Sequence, residues 1–343
     1  TVYFNSFYIE PLDFVMMIAF VGCGLLAFQQ TTTRKILKYY SGQVLIAFLF
    51  LFVSRQVAFL VSALCISLVG GIIFILGRQW KLSAIILVTA LIPMSIFIGS
   101  LYSNPNHNQN VYQSMTLGAM PSTKNPGKSL AEINIRPQNE ILRGTSYDAP
   151  YAIARSDSAT IQKEFIDEIN YAKLVWYYGT HPSMLSKLLQ TGLENKNVAR
   201  TKVGVYEKGA VKQGDEDKTF FQWATIAKGF ILPKKFGFYF IFAILVISVY
   251  SVSCVRGLEM GSKLYAARLW TNCGLLLMMF LAFISPIIIS GQTNIIRQLT
   301  MSSTLLDLLV LIIILDSLQH DIWITRDTVL LTRAGEDGDA NEE

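Results

Sequence analysis

QVLIAFLFLFVSRQVAFLVSALCISLVGGIIFILG, from Gln43 to Gly77, is an almost unbroken apolar run with Ser54-Arg55-Gln56 near its middle. A bilayer-crossing helix needs about 17–25 apolar residues, so the run is too long for one such helix. An arginine at the centre of a span is costly. A hairpin with its turn at Arg55 removes both difficulties. It gives spans at about Gly42–Val53, extending back toward Tyr39, and Val57–Gly77. If residues 42–77 were instead one bent span, the assignment of sides would break.

Outward from this run, the chain carries further apolar stretches at Leu12–Phe28, Leu82–Leu101 with a kink expected at Pro93, Phe236–Val255, Leu269–Ser290 and Thr304–Leu318. Across 343 residues, 52% are hydrophobic and 15% charged, against about 25% charged in a typical soluble domain. The mean hydropathy is +0.41. The reading is an all-α polytopic membrane protein with about seven transmembrane helices and an α-rich extracytoplasmic domain. Residues 1–101 hold four transmembrane helices with an N-terminal extracytoplasmic motif, 102–235 the extracytoplasmic domain, 236–318 three more transmembrane helices and 319–343 a cytoplasmic tail with an acidic end.

The positive-inside rule orients the helices. Arg34, Lys35 and Lys38, then Arg78 and Lys81, then Arg256, Lys263 and Arg268 fall in short connections on one face. That face is taken as cytoplasmic, which puts the N-terminal motif, the Arg55 turn and the polar region opposite. Lys234 and Lys235 run against this, at the end of a long domain where the rule is weak. The net charge of +5 forms no basic stripe, which excludes a nucleic-acid partner. Cys23, Cys65, Cys254 and Cys273 lie in apolar runs without a CxxC spacing and read as free thiols. Thr1 opens without a basic region and short apolar stretch, so no signal peptide is expected. The abrupt start suggests a fragment or a processed chain.

In the polar region, TIQKEFIDEINYAKLVWYYG has helical spacing with Gly179 as its stop, and HPSMLSKLLQTG reads as a short helix ending at Gly192. The Asn/Pro/Gly/Ser-rich segment before them reads as ordered loop. Glu10, beside Pro11 in NSFYIEP, is either a helix-start charge favoured by the helix dipole or a carboxylate in a wet cleft. Arg55 and Arg297 suit phosphate oxygens, or snorkelling to headgroups. Asp307 inside the last span is a candidate by its position alone, with Asp13 and Asp316 weaker. RGTSYDAP, Arg143 to Pro150, reads first as a structural turn, and His181 as a packing or capping group. No zinc motif, Walker loop or nucleophile elbow occurs.

YFNSFYIEP resembles the signature of polytopic GT-C-type bacterial hexose transferases of surface and S-layer glycan biosynthesis. SRQVAF, NVYQSMTLGAMPSTKNPGKSLAEINIRP, RGTSYDAP and GQTNIIRQLTMSSTLLDLL are similar to four further blocks of that family in the same order, from Tyr3 to about Leu318. Thr116-Leu117, Asp148 and Gln298 depart from the usual residues and bear on the sugar and the acceptor. The resemblance implies that this chain matches the C-terminal part, with further spans and an acidic catalytic loop in an N-terminal half. It implies transfer of a hexose from a polyprenyl-phosphate donor to a glycan acceptor on the extracytoplasmic face of the bacterial cell membrane. Glu10 would then serve catalysis at the acceptor. Asn5, Tyr8, Arg55, Arg143, Tyr147 and Arg297 would bind substrate. A divalent metal is compatible, though no ligand cluster demands one. The alternatives are a transporter or flippase of lipid-linked sugars, or a non-catalytic subunit with a partner-binding domain.

Overall fold

A computed structural model describes residues 10–30, 32–53, 64, 67–103, 107–147, 159–196, 230–291, 299–319 and 322. Helices dominate, and no strand occurs among the described residues. We number the main helices α1 (Glu10–Phe28), α2 (Thr33–Val53), α3 (Lys81–Ser103), α4 (His107–Gln113), α5 (Pro126–Glu132), α6 (Tyr171–Thr180), α7 (Pro182–Lys196), α8 (Phe236–Glu259), α9 (Leu264–Ser290) and α10 (Thr300–Leu318). Among the described residues, three helical stretches are long and apolar enough to cross a membrane: Phe236–Glu259, Leu264–Ser290 and Met301–Leu318. The apolar stretches Leu12–Phe28 and Lys81–Met94 are shorter.

The chain divides into two compact units. One contains Ile9–Ser100, Phe240–Leu281 and the chain from Thr304 onward. Within it α1 and α2 form an antiparallel pair. Buried Gln43 reaches from α2 to donate its side-chain N–H to the Phe20 carbonyl at 2.9 Å. Gly24 makes room for that amide, since a Cβ there would stand 2.5 Å from Gln43 Nε2. The glycine pair Gly70-Gly71 receives two aromatic side chains, Trp270 from α9 and Tyr40 from α2. Small residues let helices approach closely where lipid offers no hydrophobic drive. A π turn, Ile72–Leu76, follows and stops at Gly77, whose φ of 94° suits glycine.

Arg34, Lys35 and Lys38 lie inside the first turns of α2 and not in a connecting loop, because nothing between Thr33 and Val53 breaks the helix. Gly77 and Pro93 fall where the sequence puts a stop and an intrahelical proline. The turn at Arg55 lies outside the described residues.

The other unit includes Leu101–Tyr239 and Ala282–Ser303. Its segment 107–142, read from composition as loop, is largely helical: α4, a π turn at Ser114–Ala119, α5 and a 3-10 turn at Pro137–Leu142. The single helix expected over 160–179 is broken. A π turn covers Gln162–Ile166, and Asn170 then caps a fresh helix by accepting from the Ala172 N–H at 2.9 Å. Gly179 does not stop α6, which runs to Thr180. Gly192 does not stop α7 either. It is a contact, because a Cβ there would lie 2.5 Å from Ile287 Cδ1 and 3.5 Å from Phe283 Cζ.

Candidate functional site

Three sequence blocks converge inside the second unit. The first is the π turn after α4. Gln113, Ser114 and Thr116 are buried there, so each polar atom needs a partner. Thr116 Oγ1 lies 3.0 Å from the Tyr112 carbonyl and 2.8 Å from that of Thr145. The Thr116 carbonyl in turn accepts from the Gly144 N–H at 2.8 Å. The second block, Arg143 to Tyr147, is therefore clamped to the first through its backbone. Gly144 adopts φ 77°, the left-handed region that glycine enters freely.

Side chains extend the clamp. Thr145 donates its hydroxyl hydrogen to the Leu142 carbonyl at 2.6 Å. The Tyr112 hydroxyl, 2.6 Å from Thr145 Oγ1, must then be the donor of that pair. Tyr147 and Phe165 each meet the Tyr112 ring edge-on at 5.7 Å. Burial raises the Tyr112 phenol above its ordinary range, opposed by its bond to Thr145. Tyr177 is raised for the same chief cause, with Ser129 opposing and the Glu132 carboxylate adding.

The third block enters at the end of α9. Gly291 has φ 62° and lies directly against the π turn. A Cβ on it would stand 2.7 Å from the Gln113 carbonyl and 2.8 Å from the Gly118 nitrogen. A Cβ on Gly118 would stand 3.3 Å from the Gly291 Cα. Two glycines thus let two backbones touch. The Tyr178 hydroxyl lies beside Gly118, buried, with no hydrogen-bond partner among the described residues.

An open cleft of about 610 Å³ adjoins the clamped segment, lined by Pro126, Gln138, Glu140, Ile141 and Arg143. Arg143 is exposed and donates one N–H to the Pro121 carbonyl at 3.4 Å, leaving other guanidinium donors for a ligand. Glu140 Oε2 accepts from the Gly127 N–H at 3.1 Å. A carboxylate, an amide and a guanidinium lining one cleft can exchange hydrogen bonds with hydroxyls, and the guanidinium can face an anion. Among the described residues no cluster of three or more His, Cys, Asp or Glu side chains forms a metal site.

Of the residues singled out in the sequence, the structure brings Arg143 and Tyr147 together on one clamped segment. Glu10 begins α1, its side chain lying outside the described residues. Asn5, Tyr8, Arg55 and Arg297 also lie outside them. His181 is a packing group. Its ring packs at a tilt of 31° against Tyr177, centroids 4.4 Å apart, and its Nε2 lies 3.3 Å from Glu132.

The last span reverses the ranking of its two aspartates. Asp307 is exposed, whereas Asp316 is buried at 7% accessibility. Asp316 Oδ2 accepts from the Tyr250 hydroxyl at 2.5 Å, and Oδ1 faces Arg268 Nη1 at 3.7 Å. Asn272 sits one turn beyond Arg268 and donates to its carbonyl at 3.1 Å. This network ties α8, α9 and α10, and an aspartate that closes an apolar run gives no sequence signal of its partners.

The model of one protein family, the YfdI N-terminal transmembrane domain, matches residues 1–337. The chain belongs to this family. It is a helical membrane protein of a glycosyltransferase-like family. The family's description places the matched stretch in an N-terminal domain, which differs from the C-terminal placement implied by the resemblance. No curated protein and no solved structure matches the chain.

Proposed function

We propose that this protein is a membrane glycosyltransferase of surface-glycan modification, moving a hexose from a polyprenyl-phosphate-linked donor to a glycan acceptor on the extracytoplasmic face. The observation that carries this reading is the family match along residues 1–337, in a family associated with O-antigen and capsule modification. The clamped segment supports it by holding Arg143 beside an open cleft with Glu140 and Gln138, while Tyr147 packs edge-on against Tyr112.

In this reading the chain spans the membrane about seven times. Glu10 activates or positions the acceptor hydroxyl, as a general base within reach of it would. Asn5 and Tyr8 line the same rim. Arg297 and Arg55 hold the lipid phosphate as charge develops on the leaving oxygen. Arg143 and Tyr147 shape the acceptor side.

The test is sugar transfer from a polyprenyl-phosphate donor by the protein in liposomes, wild type beside Glu10→Gln. Transfer by wild type with a loss of more than about a hundredfold in the variant supports the reading. Equal rates reduce Glu10 to a helix-start charge, and no transfer with any donor overturns the enzyme.

A transporter of lipid-linked sugars is the second reading, favoured by the buried Tyr250–Asp316–Arg268 network, since ionisable groups within spans commonly mark transport pathways. Flipping of a fluorescent lipid-linked sugar by liposomes that make no new glycosidic bond would select it.

A further inference from the structure

The segment FILPKKF, Phe230 to Phe236, combines features that the transfer reading leaves unused. Phe230 and Ile231 are 87% and 76% exposed, among the most open large apolar side chains in the protein. Lys234 and Lys235 are exposed and form no ion pair among the described residues. Phe236, which opens the membrane-crossing α8, turns inward instead and stacks on Phe283 at 5.9 Å.

The backbone between these groups is fixed. Gln190 of α7 donates its side-chain amide to the Lys234 carbonyl and accepts from the Phe236 N–H at 3.3 Å through Oε1. One side chain thus brackets Lys235 and holds the turn leading into α8. Pro233 limits the turn further, because its ring fixes φ.

A pair of bulky apolar side chains held in the open is costly in water, and chain continuity says what covers them. They lie within a few residues of the first residue of a membrane-crossing helix, so they stand at the level where acyl chains meet headgroups. Side chains of this kind enter the acyl boundary while neighbouring lysines reach the phosphate layer.

We propose that Phe230, Ile231, Lys234 and Lys235 form an interfacial anchor that seats on anionic phospholipid headgroups. The apolar pair enters the bilayer edge and the lysine pair faces the phosphates. Gln190 positions the anchor. It acts by setting the height and tilt at which α8 enters the membrane.

The experiment uses the full chain in nanodiscs. Spin labels are placed at Phe230→Cys and Ile231→Cys, with exposed Lys173→Cys as reference, after replacement of the four natural cysteines. Collisions with oxygen exceeding those with a water-soluble nickel chelate at 230 and 231, with the reverse at 173, are expected. Dominance of the nickel chelate at 230 and 231 overturns the anchor. A second arm reads binding of phosphatidylglycerol against phosphatidylcholine by native mass spectrometry. Lys234→Gln with Lys235→Gln is expected to lower the preference by roughly fivefold per lysine, the scale of one cation at an anionic surface. An unchanged preference overturns the proposal. So does a variant that keeps the preference but loses a polyprenyl-phosphate lipid, for the lysines would then belong to the donor site. None of these readouts depends on sugar transfer.

Discussion

Tyr178 and Tyr112 carry the same hydroxyl into the same unit with opposite consequences. The Tyr178 hydroxyl is buried and has no partner among the described residues, which costs about 1–3 kcal/mol of desolvation. Tyr178→Phe is therefore expected to raise thermal stability or leave it unchanged. Tyr112→Phe removes a 2.6 Å bond to Thr145 and should cost about 1 kcal/mol. Glycines divide similarly. Gly291→Ala would drive a Cβ onto backbone atoms at a φ of 62°, so a loss of at least about 2 kcal/mol or failure to accumulate is expected. Gly192→Ala meets only the tip of Ile287, which can rotate, and should cost less than half as much in the same unfolding assay. The sequence shows both glycines but not their neighbours. Gly192 follows a run of helix formers and looks like a stop, and only the approach of Phe283 and Ile287 reveals a contact.

At the scale of elements, the network among α8, α9 and α10 makes a sharper prediction. Removing one partner of a buried pair leaves the other charge uncompensated, at a cost of about 3–5 kcal/mol. Asp316→Asn should thus lower the unfolding temperature in detergent far more than Asp307→Asn, whose side chain is exposed. The triple change Arg268→Met, Asp316→Leu and Tyr250→Phe should recover most of the loss, since it replaces the whole network with apolar groups and leaves no hydroxyl without its carboxylate. The helices α8, α9 and α10 were legible from apolar length alone, because lipid demands it. The interruptions were not. Asn170 starts a new helix by capping Ala172, and the π turn at Ser114–Ala119 exists because Thr145 and Gly291 press on it from distant parts of the chain. Local periodicity cannot report a cause that arrives from elsewhere. Likewise Gln138, Glu140 and Arg143 share one cleft with Pro126 only once the Pro137–Leu142 turn has folded beside α5, which their spacing does not announce.

For the molecule as a whole, alkaline pH offers a separate test. The phenols of Tyr112 and Tyr177 are held above their ordinary value of 10.0 by burial. The unfolded chain releases those protons first as pH rises. Their contribution is complete below about pH 10 and is lost as pH climbs through the raised values. Unfolding temperature should therefore be flat toward pH 9 and fall beyond 10, with tyrosinate absorbance appearing together with unfolding. A steady phenolate rise ahead of unfolding would refute the burial argument. The contact between Gly118 and Gly291 also dictates an order of manufacture. A ribosome delivers Gly118 long before Gly291, and the apolar α8 and α9 both come between them. The polar unit cannot close on first emergence. It must wait, with Tyr178 and the π turn uncovered, until two later helices have been taken into the bilayer. Synthesis halted after Tyr239 would leave a body without its final wall, and chaperone demand should peak in that interval.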